Sequence, residues 1–152
     1  KNTLTLFERA RVHVGSWGYG MARRALDESI KYAIDRSQHG KPIAGHQLIA
    51  EKLAVMATEI DAARLLSLRA AGMIDAGQRC DKECAMAKWY GTEIAVSATR
   101  QAVQIHGGNG VTKEFIVERL AREAMIAPIP DGTTEIQKLL IGRSLTGVSA
   151  FR

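Results

Sequence analysis

Between Ile49 and Ala70 apolar residues return every three or four positions: Ile49, Leu53, Met56, Ile60, Ala63, Leu66 and Ala70, with Met73 or Ile74 continuing the stripe. This is the surface period of an α-helix, and about six turns of it cannot be laid along a strand without exposing half the apolar side chains. The same period runs through most of the chain, and no stretch shows convincing period-two alternation. A first helix is expected from about Leu4 to Asp35, on Val14, Gly18, Met21, Ala25, Leu26, Ile30 and Ala33. A third runs from about Asp81 to Ile105, with Ile94, Ala98, Ala102 and Ile105 on one face. A shorter helix follows from about Lys113 to Ile126, and a last one opens at Thr133 or Thr134. The expected fold is all-α: an antiparallel four-helix bundle of long up-down helices plus a short extra helix.

Particular residues punctuate these helices. Gly15, Gly18 and Gly20 weaken the first, so close packing against a neighbour is expected to compensate. Gly40 reads as its C-cap region and Pro42 as its stop. Asp75-Ala76-Gly77-Gln78 ends the second helix, and His106-Gly107-Gly108-Asn109-Gly110 ends the third. Ala127-Pro128-Ile129-Pro130-Asp131-Gly132 is not helical, because each proline fixes its own backbone and disfavours helix in the residue before it. Thr134 and Gln137 have the spacing of a capping box.

Composition narrows the class of function. A chain of 152 residues can bury a core without disulfides or metals. No apolar run reaches membrane-spanning length, and the Lys1-Asn2-Thr3-Leu4 start has no signal-peptide core. The absence of an initiator Met fits a piece excised from a longer protein. Cys80 and Cys84 have no further cysteines nearby, which argues against zinc and for a reducing compartment, the cytoplasm or a mitochondrial matrix. No metal site is expected. The net charge of +5 suits an anionic ligand, but the 21 Lys and Arg are scattered with few aromatics among them, so nucleic acid and membrane are not expected partners.

Three helix breaks contain residues suited to chemistry. Arg36-Ser37-Gln38-His39-Gly40, with His46-Gln47 after it, offers a cation and neutral donors that could grip a phosphate. From spacing alone it reads first as a solvated helix end at which Arg36 complements the dipole. Gln104-Ile105-His106-Gly107-Gly108 offers glycines that let a backbone approach a ligand, without the pattern of a phosphate loop or a dinucleotide fingerprint. Asp131, on a proline-stiffened loop just before a helix, is a candidate general base. It also reads as a loop carboxylate that only satisfies backbone donors.

Taken together, the chain resembles the C-terminal domain of the acyl-CoA dehydrogenase family. The resemblance is carried by Ala25-Leu26-Asp27 with Tyr32-Ala33, Arg36 through Gly40-Lys41-Pro42-Ile43, His46-Gln47, Ala63-Arg64 and Ala87-Lys88. It continues through Ala102 to Gly110, Glu118-Arg119, Arg122-Glu123-Ala124 and Asp131 to Gln137. The Gln-Ile-His-Gly-Gly and Gly-Thr-x-Glu-Ile-Gln runs at this separation are its specific signature.

The resemblance implies that residues 1–152 are the C-terminal bundle of a larger flavoenzyme whose N-terminal helical and middle β domains lie outside this chain. It implies FAD-dependent α,β-dehydrogenation of an acyl-CoA, with Asp131 at the position of the family's catalytic glutamate and Gly132 beside the thioester. Arg36, Ser37, Gln38, His46 and Gln47 match flavin-contacting positions. Gln104, Ile105, His106, Gly107 and Gly108 match the run that meets flavin across a subunit interface, and Thr133 and Glu135 match neighbours of the base. Glu8 and Arg11 match substrate-side positions. The implied partners are an acyl-CoA, an electron-transferring flavoprotein and further copies of the chain, as a dimer or tetramer.

The sequence departs from the family at Asp131 (usually Glu), Pro130 (usually aromatic), His39 (usually Phe) and Lys113-Glu114-Phe115-Ile116, which lacks the common Tyr-Pro pair. Asp is shorter than Glu by one methylene, about 1.5 Å of reach. Relatives that use Asp include dehydrogenases of cyclic acyl-CoAs and nitroalkane oxidase. Two alternatives therefore stand beside the dehydrogenase: an oxidase of the nitroalkane type, and a non-catalytic helical assembly module.

Overall fold

In the computed structural model the backbone is described for residues 2–151 and the side chains for residue 6 and residues 9–151. Three long helices dominate: α1 (Asn2–Asp35), α2 (Gln47–Asp75) and α3 (Asp81–His106). Short connections join them in an antiparallel arrangement. The shorter α4 (Ile116–Ala124) and α5 (Thr134–Thr146) pack on α3, which is thereby central and touches every other helix. The helical bundle is as expected. None of these helices is long and apolar enough to cross a membrane.

Small residues on α3 allow this centrality. Ala85, Ala87, Ala95, Ala98 and Ala102 are all buried, as are Ile94 and Ile105. Against Ile94, Ala98, Ala102 and Ile105 lie Ala22, Ala25 and Leu26 of α1 and Met56, Ile60 and Ala63 of α2. The glycines of α1 divide into two kinds. A Cβ on Gly15 would lie 2.6 Å from the Ala87 carbonyl oxygen, and one on Gly91 would lie 2.5 Å from that of Gly15, so α1 and α3 cross backbone to backbone. Gly18 sits in the same crossing, against Gly91. Gly20 meets nothing within 4 Å, so close packing does not explain it.

The connections differ from expectation in three places. After Asp35 the chain forms a two-stranded hairpin, β1 (Ser37–Gln38) and β2 (Lys41–Pro42), with Ser37 opposite Pro42 and Gln38 opposite Lys41. His39 and Gly40 both have positive φ, 51° and 78°, as the two-residue turn of such a hairpin requires. Gly40 is thus a hairpin residue and not a helix cap. Pro42 ends the hairpin and leads into a 3₁₀ turn, Ile43–Gly45.

Beyond α3 the chain continues as a 3₁₀ turn, Gly107–Val111, and α4 starts at Ile116 instead of about Lys113. Phe115 is held extended (φ −111°, ψ 125°) with its ring edge-on to Tyr32 and His106, which delays the helix. The expected capping box at α5 does not form either. Thr133 is the N-cap residue without a side-chain cap bond, the Thr134 hydroxyl donates to Glu93, and Gln137 turns back to the preceding loop.

Candidate functional site

The ends of α1 and α3 and the start of α2 enclose an open cleft of about 640 Å³. Arg36, Gln38 and His46 line one side, and Ile105, His106, Gly107 and Gly108 line the other. Two segments about seventy residues apart in the sequence, each a weak signal alone, therefore face one another. The Arg36 guanidinium is exposed and has no hydrogen-bond or ion-pair partner among the described residues. His46 Nε2 is 3.2 Å from the Gln38 carbonyl, which ties the hairpin to the start of α2.

His106 forms part of the wall. It is buried, stacks on Tyr32 at 4.2 Å between ring centres, and approaches the Ala102 carbonyl through Nδ1 at 2.8 Å. A carbonyl only accepts, so Nδ1 carries the proton. Burial lowers the His106 pKa, opposed by that bond and by Glu28, which favours the neutral ring. Tyr32 also accepts a hydrogen bond from Asn109 at 3.0 Å, which pins the turn beyond Gly108.

The two cleft glycines have different causes. Gly107 has φ 58°, which an L side chain disfavours. Gly108 has no such backbone, and a Cβ there would meet no atom within 4 Å. Among the described residues nothing requires Gly108 to lack a side chain.

Asp131 lies in a second cluster. Lys88 and His106 stand eighteen residues apart on α3, roughly 27 Å along the helix axis, and the Asp131 loop packs near the Lys88 end. Side chains from three helices fix the loop backbone. Arg11 Nε of α1 donates to the Asp131 carbonyl at 3.4 Å. Gln137 Nε2 of α5 donates to the carbonyls of Asp131 and Gly132 at 3.1 and 2.8 Å. From α3, Lys88 Nζ donates to the Pro128 carbonyl at 2.6 Å, and Glu93 accepts from the Thr134 hydroxyl at 2.5 Å.

This bonding holds Asp131 at φ 54° and Gly132 at φ 96°. A Cβ on Gly132 would lie 2.8 Å from Gln137 Nε2, so a side chain there would displace the amide that holds the loop, besides straining the backbone. The half-buried Asp131 carboxylate itself has no hydrogen-bond partner among the described residues. Its backbone is clamped while its functional group stays uncommitted. At the adjoining helix start, the Thr133 hydroxyl bonds the Glu135 carboxylate and, with the Glu135 backbone amide, holds it below the usual carboxylate range.

A sequence profile described as the acyl-CoA dehydrogenase C-terminal domain matches residues 1–146. The chain belongs to the acyl-CoA dehydrogenase family. It is 44% identical over 137 residues to an acyl-CoA dehydrogenase of Bacillus subtilis, covering 90% of this chain and 36% of that protein. It is 43% identical over 144 residues to subunit CarC of the caffeyl-CoA reductase-Etf complex of Acetobacterium woodii, covering 95% and 38%. The fold matches a glutaryl-CoA dehydrogenase from Mycobacterium smegmatis in complex with FADH2, at a TM-score of 0.90 and 31% identity over 94% of this chain and 37% of that one. The chain thus spans little more than a third of the length of these family members.

The structure groups the residues singled out from the sequence as follows. Arg36, Gln38, His46, Ile105, His106, Gly107 and Gly108 share the cleft. Ser37, Gln47 and Gln104 are exposed beside it without lining it. Arg11, Asp131, Gly132, Thr133 and Glu135 gather at the second cluster. The side chain of Glu8 lies outside the described residues. Sequence reasoning gave no role to Lys88 or Glu93, because a charged residue in a helix reads as solvated surface. The signal available for Lys88 was its place among Ala85, Ala87 and Gly91 on a face too apolar for an exposed lysine.

Proposed function

We propose that this chain is the C-terminal helical domain of a larger flavoprotein that dehydrogenates an acyl-CoA thioester between Cα and Cβ, with Asp131 as the base that takes the α proton. The observation that carries this reading is the Asp131 carboxylate, uncommitted on a backbone held by Arg11 and Gln137. A base must be free to accept a proton and confined enough to meet it, and this loop provides both. Gly132, with no side chain, leaves room beside the carboxylate for the thioester. Family membership supports the reaction class, and the M. smegmatis structure with FADH2 supports the cofactor.

The cleft is suited to the phosphate-bearing part of FAD. Arg36 supplies an unpaired cation, His46 and Gln38 supply neutral polar groups, and Gly108 removes the side chain that would block close approach. Bound flavin would supply the hydride acceptor; the protein aligns substrate, base and ring. The distance between cleft and base argues that they serve different flavins, the cleft taking one held by a neighbouring copy. Leu48, Val55, Leu65 and Leu68, exposed along α2, provide apolar surface for such a dimer or tetramer. The A. woodii relative is a subunit of a complex with Etf, which supports an electron-transferring flavoprotein as the electron partner here.

The test is Asp131→Asn in the full-length polypeptide. The variant should keep its flavin and lose flavin bleaching by acyl-CoA. Bleaching at the wild-type rate would remove Asp131 from the chemistry. Oxygen consumption in the absence of an acceptor would instead identify an oxidase.

A further inference from the structure

Among the described residues, Lys88 is the one Lys, Arg, Asp or Glu that is fully buried. It sits where α1 crosses α3: a Cβ on Gly15 would lie 3.2 Å from its Cα. An unbranched apolar side chain would fill that space without removing an ammonium from water, so packing does not explain a lysine. Its Nζ reaches the Pro128 carbonyl, forty residues onward, at 2.6 Å. Pro128 opens the loop that ends in Asp131, and this bond ties residues 125–130 to the bundle. Glu93 and Gln137 anchor the same loop from its other end.

The charges around Lys88 come from four elements. Burial, the largest influence, lowers its pKa; Glu93 on α3, Asp131 on the loop and Glu135 on α5 favour its charged form, and Arg11 on α1 opposes it. Glu93 is already bonded to Thr134, and Glu135 to Thr133. Asp131 is the acid in this set whose carboxylate makes no hydrogen bond among the described residues.

We propose that Lys88 is the positioning residue of the Asp131 base: from inside α3 it clamps the Pro128 carbonyl and so sets the depth of the loop. The assignment rests on Asp131 being the base. It accounts for a buried lysine that packing does not require.

The test compares Lys88→Met, Lys88→Gln and Asp131→Asn in the full-length flavoprotein. The probe is whichever of butyryl-CoA and glutaryl-CoA bleaches the wild-type flavin. Lys88→Met should bind flavin normally, while amide exchange across residues 126–134 rises by about tenfold, as expected for losing a hydrogen bond to a charged group. Bleaching should slow by about tenfold or more with KM nearly unchanged. Lys88→Gln retains a donor, so it should recover slow exchange and with it part of the bleaching rate.

Wild-type exchange and bleaching in folded Lys88→Met, with Asp131→Asn inert, would overturn the proposal and leave the base intact. Normal bleaching by Asp131→Asn would overturn both. If neither Lys88 variant accumulates folded while Asp131→Asn does, Lys88 is a folding determinant and the proposal falls.

Discussion

Gly15 and Gly20 lie on the same helix, five residues apart, and their replacement by alanine should have opposite effects. Both variants gain helix propensity, about 0.8–1.0 kcal/mol each. At Gly20 nothing lies within 4 Å of the new methyl group, so that gain should appear as added stability. At Gly15 the methyl would lie 2.6 Å from the Ala87 carbonyl oxygen and 2.9 Å from its carbon. Ordinary contact begins at 3.4 Å, so α1 must retreat from α3 by about 0.8 Å, the difference of the two distances. Backbone atoms cannot swing aside, and a gap of that size forfeits a quarter to a half of each van der Waals well along the crossing.

Overpacking of this kind costs roughly 1–3 kcal/mol. The shared propensity gain cancels between the variants, so that cost is also the expected difference between them. For a chain of this length it corresponds to about 2–4 °C in melting temperature per kcal/mol. Urea denaturation followed by circular dichroism, with equal slopes for both variants, gives the difference directly. Agreement between Gly15→Ala and Gly20→Ala to within about 0.5 kcal/mol would refute the close crossing. The crossing also has functional weight, because the same contact meets the Lys88 backbone and α1 carries Arg11 to the Asp131 carbonyl.

Two further outcomes follow from the cleft. His106 has a lowered folded pKa, so between that value and its ordinary 6.5 the unfolded chain binds more protons. Its contribution leaves stability unaffected above pH 6.5 and lowers it as pH falls through 6.5 toward the folded pKa, by at most about 1.4 kcal/mol per pH unit. Melting curves from pH 7.5 to 5 should show this slope and His106→Phe should lack it; an unchanged slope would deny that His106 is buried neutral. Gly108→Val should leave the melting temperature of this chain within about 2 °C, since its Cβ meets no neighbour. In the full-length protein the same change should lower flavin content, measured from absorbance after gel filtration; full flavin loading would remove Gly108 from the cofactor site.

Much of this molecule can be read from local pattern. Apolar spacing placed the three long helices, because a residue's position on a helix face depends only on near neighbours. The paired prolines located the irregular loop before Asp131 because they act on their own backbone. The signature runs marked the family. Local rules failed where a distant partner competed for the same group. Gln137 and Thr134 have capping-box spacing, yet the Asp131 and Gly132 carbonyls and Glu93 took their hydrogen bonds instead. Gly40 suits a helix cap or a hairpin turn, and cross-strand pairing chose the hairpin.

The sequence alone determined an all-helical chain, its family, and the segments from which a site could be built. Tertiary structure decided which segments meet. It joined Arg36 and Gln38 to Gly107 and Gly108 in one cleft, set Asp131 near the other end of α3, and buried Lys88 beneath its loop. Helical periodicity spans a few residues and is written into the chain directly. The environment of a charge such as Lys88 depends on contacts forty or more residues away, and only the packed bundle brings those together.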